Sequence, residues 1–409
     1  MNRRSIRSLL VAVATLGIIM AAAPAQALFP PDTLQVSAWN WSETQPDAPW
    51  AGRAGLQVVE RGGSFFLMGG RTPIQSTVPG ASTIWGDVWR SDDRGATWRR
   101  VLETNDAQHW PARSYFQAVT LRGGIYVLGG QNFRIEPNPG CAFLPPGVPC
   151  DLPDVPASDF FNDVWRSYDG VDWQEMTPHA PWAGRAGLSA VVLNGAIYVF
   201  GGSVNDDSAV VGGGAPPRIY FNDVWRSYDG RTWTRMTEHA PWEARAGAAT
   251  VVKDGWIYLL GGEDGFVCNE QTPRCPPYYN DVWRTRDGRN WEQVTAEAGW
   301  SARPGHQCVA TVGRILCFGG FGLFGNPVDM WVSTTGAQWR QLPQSPWDAT
   351  SSDEVKYDFD ALATWDWRQG RLTPAVYTFG GDRETFNFGD PTNYLRVDDD
   401  VWRFAPGDI

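Results

Sequence analysis

Basic side chains recur at one fixed place in this sequence. Arg53, Arg113, Arg185, Arg245 and Arg303 each stand three residues after a tryptophan (Trp50, Trp110, Trp182, Trp242, Trp300). Where a sixth copy breaks, in PWDATSSDEVKYDF, Lys356 stands nearest. Arginine presents a planar fork that grips carboxylates. Repeated around a ring, these residues predict a cationic annulus for an acidic ligand, either a peptide segment or a glycan. The competing reading is structural: each arginine stacks on a neighbouring tryptophan or pairs with one of the repeated aspartates Asp87, Asp163, Asp223, Asp281, Asp329 and Asp400. Their regularity marks those aspartates as turn or strand anchors rather than metal ligands. Glu263, Asp382 and Arg383, which directly follow double glycines, join the binding candidates. With Asp264, Glu384, Asp358 and the 131–161 loop they break the repetition. Acids there are placed to act as general acid or base, or to accept from hydroxyls. No catalytic residue, metal ligand or cofactor is assigned.

The elements that position these residues follow from a repeat of about 60 residues. Six apolar runs end in Gly-Gly: FFLMGG, IYVLGG, IYVFGG, IYLLGG, ILCFGG and VYTFGG. Each is followed by a segment of the type NDVWR and, in five copies, by a later tryptophan (Trp98, Trp173, Trp233, Trp291, Trp339). Short Val/Ile/Tyr/Phe/Trp runs separated by Gly, Asp and Asn read as strands. Each unit therefore predicts four strands. Strand a follows the arginine, b ends in Gly-Gly, c is DVWR, and d carries the later tryptophan. One such sheet cannot bury both its faces, whereas a ring of them can.

The double glycine, the spaced aromatics and the Arg-x-Gly before strand a (Arg303-Pro304-Gly305-His306 is the nearest copy) resemble the kelch repeat. The resemblance covers 36–409 and implies an all-β fold, a six-bladed kelch-type β-propeller. Ser91–Trp98 also resembles the Asp-box hairpin of sialidase-type propellers. The sixth unit lacks a strand d, and Val36–Glu43 fits that place, with Trp41 aligned to Trp173 and Trp233. The N-terminal strand is thus expected to complete the last blade and close the ring. Strand direction puts the long b–c loops and the d–a connections on one face, the expected site.

Residues 1–27 read as a signal peptide: Arg3, Arg4 and Arg7, an apolar run Leu9–Ala23, then Ala25-Gln26-Ala27. The propeller then occupies 28–409, exported to a periplasm or beyond the cell, with no membrane insertion once mature and as a monomer. The six cysteines fall into local pairs, Cys141/Cys150, Cys268/Cys275 and Cys308/Cys317, read as disulfides. The last two flank a turn at Val312-Gly313 and stand opposite each other on a hairpin. A net charge of −11 excludes non-specific nucleic-acid binding. Two functions follow: an exported binding protein for an acidic ligand, or a carbohydrate-active enzyme of the sialic acid mutarotase (epimerase) type, which the architecture resembles. The galactose oxidase class shares the repeat, but its copper-radical chemistry needs paired histidines and a free cysteine. Of four histidines here, His179 and His239 occupy repeat positions.

Overall fold

The computed structural model describes residues 35–407, apart from 77, 79, 105–108, 146, 207–216, 266–274, 369 and 386–388. The repeats form six four-stranded antiparallel sheets. In the first blade, strands a to d are Gln57–Arg61, Ser64–Met68, Val88–Ser91 and Arg99–Leu102. In the sixth, strands a to c are Asp360–Arg368, Arg371–Asp382 and Val397–Pro406, and Trp39–Gln45 from the start of the chain supplies d. Its register runs from Trp39 opposite Pro406, through Trp41 opposite Phe404, to Gln45 opposite Val401. The closure expected from the sequence is therefore present.

Strand b of the first three blades (SFFLM, GIYVL, AIYVF) is buried at every position. Both its faces pack on neighbouring blades, which is why these runs are continuously apolar rather than alternating. Tryptophan fills the outer layer. Trp50, Trp110, Trp182, Trp242 and Trp300 each meet a strand-d tryptophan edge-to-face at 5.6–6.3 Å, a favoured geometry for such rings. The c–d turns share one device. The Oγ of Ser91, Ser167, Ser227, Thr285 and Ser333 accepts from the N–H of the turn glycine at 2.8–2.9 Å. The strand-d indole of each then donates to that glycine's carbonyl. The Asp-box geometry expected at Ser91–Trp98 thus recurs around the ring.

Cys308 and Cys317 are cross-strand partners and are disulfide-bonded, as are Cys141 and Cys150. The third expected pair is described at one end only. Cys275 is disulfide-bonded, and no cysteine among the described residues is free. Cys268, the partner expected for Cys275, lies outside the described residues, so the Cys268/Cys275 pairing does not stand among the described disulfides. The leader-like residues 1–27 also lie outside them.

A ring of backbone hydrogen bonds encircles the central channel. Gly55 N–H donates to Asp358 O, Tyr115 to Gly55, Gly187 to Tyr115, Gly247 to Gly187, Gly305 to Gly247, and Asp358 back to Gly305, all at 2.8–3.1 Å. All six residues have φ between 51° and 65°. This left-handed conformation suits the four glycines and makes Tyr115 and Asp358 exceptions. Side chains extend the ring at three junctions: Gln307 Nε2 donates to Phe359 O, Gln57 Oε1 accepts from Ala118 N–H, and Asp360 Oδ2 accepts from Val58 N–H.

Burial pushes the Asp360 carboxyl up to about 7, against the two backbone N–H groups of Val58 and Ala361 that favour its charge. A raised carboxylate pKa means that the folded state holds a proton the unfolded chain has lost, so stability falls as pH rises from about 4 to 7. Asp360→Asn, which resembles the protonated carboxyl, is accordingly expected to match the wild type at pH 4 and to exceed it by roughly 4 kcal/mol at pH 8. Denaturant titrations at both pH values check this.

Candidate active site at the channel mouth

The repeated arginines do not form an annulus. Arg53, Arg113, Arg185, Arg245 and Arg303 are at most 2% exposed. Each is paired with the aspartate that opens strand c: Asp87, Asp163, Asp223, Asp281 and Asp329, at 2.5–2.7 Å. Each also donates to the carbonyl of the first glycine of Gly-Gly. Four stack on the aromatic residue two places before that aspartate, Arg185 lying 3.8 Å from the Phe221 ring centroid. Asp87, Asp163, Asp223 and Asp281 also accept from the strand-c tryptophan, as Asp223 does from Trp225 Nε1 at 2.8 Å. Lys356 takes the equivalent place in the sixth blade, 3% exposed between Asp398 and Asp400. The expectation that these six cations face a ligand is therefore corrected. An unpaired buried charge is too costly, and each blade supplies its own counter-ion.

The position after Gly-Gly behaves differently. It forms a short antiparallel bridge to the residue after the arginine in four blades and to the residue after Lys356 in the sixth. Across the six blades it carries Arg71, Gln131, Ser203, Glu263, Phe321 and Asp382. An invariant frame thus presents six different side chains around the mouth of the channel, just above the ring of backbone hydrogen bonds. Of the residues expected to bind, Glu263 and Asp382 belong here. Arg383 lies beside them, paired with Asp398 at 2.8 Å. Sequence reading missed Arg71, Tyr115, Tyr357 and the role of Glu384.

These residues converge from three blades. Arg71 Nε donates to Tyr115 Oη at 2.6 Å, and its Nη2 donates to Asp382 Oδ2 at 2.9 Å. Two of five guanidinium N–H groups are so engaged, and three remain for a ligand. Asp382 is fully buried and accepts a second bond from Glu384 N–H at 2.8 Å. Burial raises its carboxyl, with Arg71 opposing. Burial and the neighbouring Asp382 charge push Glu384 up to about 7. Tyr357 Oη donates to Glu384 Oε2 at 3.4 Å. A carboxyl poised near neutrality, a buried carboxylate and a guanidinium form an acid/base pair with an anion clamp.

The chain is 27% identical over 208 residues to N-acetylneuraminate epimerase 1 of Escherichia coli, a match covering 49% of this chain and 52% of that protein. It is 24% identical over 229 residues to Kelch domain-containing protein 3 of Rattus norvegicus, covering 55% and 51%. The fold is that of a six-bladed, kelch-type β-propeller. The chain spans about half the length of these two curated relatives. The solved structure of YjhT superposes on the propeller with a TM-score of 0.57 over 88% of this chain and 96% of that one. At 14% identity, that likeness is one of fold. No protein-family model matches the chain.

Proposed function

We propose that the channel mouth binds an acidic sugar and interconverts its anomers, outside the cytoplasm. The observation that carries this reading is the cluster Arg71–Asp382–Glu384, built at the positions where the repeat stops repeating. Arg71 clamps the sugar's carboxylate. A base, Asp382 or a water it holds, takes the proton of the anomeric hydroxyl, while protonated Glu384 gives its proton to the ring oxygen as the ring C–O bond breaks. Rotation and the reverse transfers close the other anomer, and both carboxyls return to their starting states. The reaction needs only positioned acid, base and clamp. Support comes from the epimerase likeness, and for export from the disulfides and the leader-like residues 1–27.

The test is NMR of freshly dissolved N-acetylneuraminate and of a uronate. The protein should speed anomer equilibration over buffer. Glu384→Gln should lower the rate about 100-fold while calorimetric binding persists, and Arg71→Met should abolish binding. Because Glu384 acts protonated, the rate should fall as pH rises through about 7. Equal rates with and without protein exclude the enzymatic reading, and unaltered binding in Arg71→Met excludes the clamp.

A further inference from the structure

The face opposite the channel mouth inverts the charge of the chain. Strand a of each blade contacts strand a of the next all the way round the ring. These strands therefore line the channel, and the a–b turns encircle its far end. One cross-strand pair closes each turn: Arg61 with Ser64, Leu121 with Gly124, Leu193 with Ala196, Lys253 with Trp256, Thr311 with Arg314, and Arg368 with Arg371. Together the six turns hold six cations (Arg61, Arg122, Lys253, Arg314, Arg368, Arg371) and a single acid, Asp254, which pairs with Lys253. Among the described residues no ion pair involves Arg61, Arg122 or Arg371. The nearby acids Glu60 and Asp366 are held by Arg94 and Arg403.

The arginines gather at one corner of this collar. The sixth hairpin runs four residues per strand beyond the other five, its last pair being Arg368 and Arg371. Alternation puts Thr364, Asp366 and Arg368 on one face of its strand a, and Arg371, directly opposite Arg368, shares that face. This face abuts the first blade: Thr364 Oγ1 donates to Glu60 Oε2 at 2.5 Å, and Arg94 Nε lies 3.4 Å from Asp366 Oδ1. The basic side of the ribbon thus overlooks the Arg61 turn. Arg61 in turn reaches the second blade, where its Nε donates to Gly123 O at 2.5 Å, next to Arg122. Arg122 and Arg368 are exposed, Arg61 and Arg371 partly so. Arg368 keeps only a long contact with Asp366, at 3.9 Å.

We propose that the corner formed by Arg61, Arg122, Arg368 and Arg371 binds a linear acidic polysaccharide, independently of the channel mouth and of any activity there. Charge selects the occupant: four guanidinium groups stand together on a protein of net charge −11, a local field that favours an anion. Their planar forks match two-oxygen groups such as carboxylates and sulfates. The turn tips are open. A Cβ at Gly63, Gly123, Gly195, Gly255 or Gly313 would meet nothing within 4 Å, so these tips make no groove for the apolar anchors of a peptide. A bilayer fits no better. It would meet the sixth hairpin about 13 Å before the other turns, whereas a flexible chain lies along the foot of the ribbon and reaches all four arginines.

Calorimetric titration of the full chain with octagalacturonate tests the proposal. Binding is expected, weakening as salt is added, and none to the neutral maltooctaose. Arg61→Gln with Arg122→Asn should weaken it about tenfold and flatten its salt dependence. Asparagine tolerates the left-handed backbone of position 122 (φ 50°), so the melting curve should match the wild type. Arg368→Gln with Arg371→Gln should act in the same direction, and Arg71→Met should leave this binding unchanged. Absence of binding, full affinity in both double variants, or loss of binding only in Arg71→Met would overturn the proposal. So would tighter binding of poly-L-glutamate than of octagalacturonate. A partition onto phosphatidylglycerol vesicles that the double variants abolish, with octagalacturonate binding unchanged, would assign the corner to a lipid surface instead.

Discussion

A chain lacking residues 36–45 is expected to lose cooperative folding. The segment contributes the whole of one strand, seven residues from Trp39 to Gln45, and two indoles that are 0% and 6% exposed. Trp41 packs on Phe404 at 4.9 Å, Phe318 at 5.5 Å and Trp347 at 5.8 Å, so it ties the fifth blade to the sixth. Gln344 Nε2 donates to the carbonyls of Ser37 and Trp39 at 2.8 Å each. Loss of two buried tryptophans costs about 6–10 kcal/mol, which is comparable with the whole stability of a typical domain, about 5–15 kcal/mol. The deletion also opens Val397–Pro406 as an unpaired edge that invites aggregation. The point variant Trp41→Ala isolates the packing share and should cost about 3–5 kcal/mol. Calorimetric melting of both variants is the measurement. A sharp, unshifted transition in the deletion would mean that the ring does not depend on its N-terminal latch. Addition of a peptide spanning 36–45 should restore the transition.

The architecture was legible because it is written six times. Apolar runs ending in Gly-Gly, each followed by DVWR, specify strands b and c. Counting outward from Val312-Gly313 placed Cys308 opposite Cys317, as the register shows. The direction of the arginines was not legible in the same way. Arg113 and Asp163 are 50 residues apart, with a variable loop between them, whereas Arg53 and Asp87 are separated by 34. No spacing rule joins them. A signal was nonetheless present: every unit carries one cation before strand a and one acid before strand c, and the break to Lys356 keeps the charge. A cation and an anion repeated in step predict a pair inside each blade. The channel mouth obeys the opposite logic. Its residues lie in the column after Gly-Gly, where no side-chain type recurs, and at Tyr115 and Asp358, where four other units have glycine. Reading departures from the repeat found Glu263 and Asp382. It passed over Arg71 because a basic residue beside a loop resembles ordinary surface.

Replacement of a single repeated arginine should then act on stability. For Arg185→Ala the expected loss is about 3–5 kcal/mol at pH 7. Arg185 holds Asp223 with two bonds, at 2.6 and 3.1 Å, and satisfies Gly201 O and Ala183 O at 3.0 Å each. Truncation leaves a half-buried carboxylate with its indole partner Trp225 but without its counter-charge. The pH dependence separates this origin from simple loss of packing. In the wild type, burial pushes Asp223 up, but the bonds and charge of Arg185 outweigh it and hold the carboxyl below its ordinary value. That contribution is complete above about pH 4 and is lost as pH falls through the lowered folded value. Without Arg185, burial is opposed only by the bonds from Trp225 and the backbone, and Asp223 titrates above its wild-type value. Protonation then relieves the variant, so the deficit should shrink as the solution is acidified from pH 7 toward pH 4. Arg185→Met with Asp223→Asn should cost less than the two single changes added together, because neither charge is left alone. A ligand-facing arginine would behave otherwise: its removal would change affinity for acidic sugars and leave the melting temperature nearly fixed at every pH.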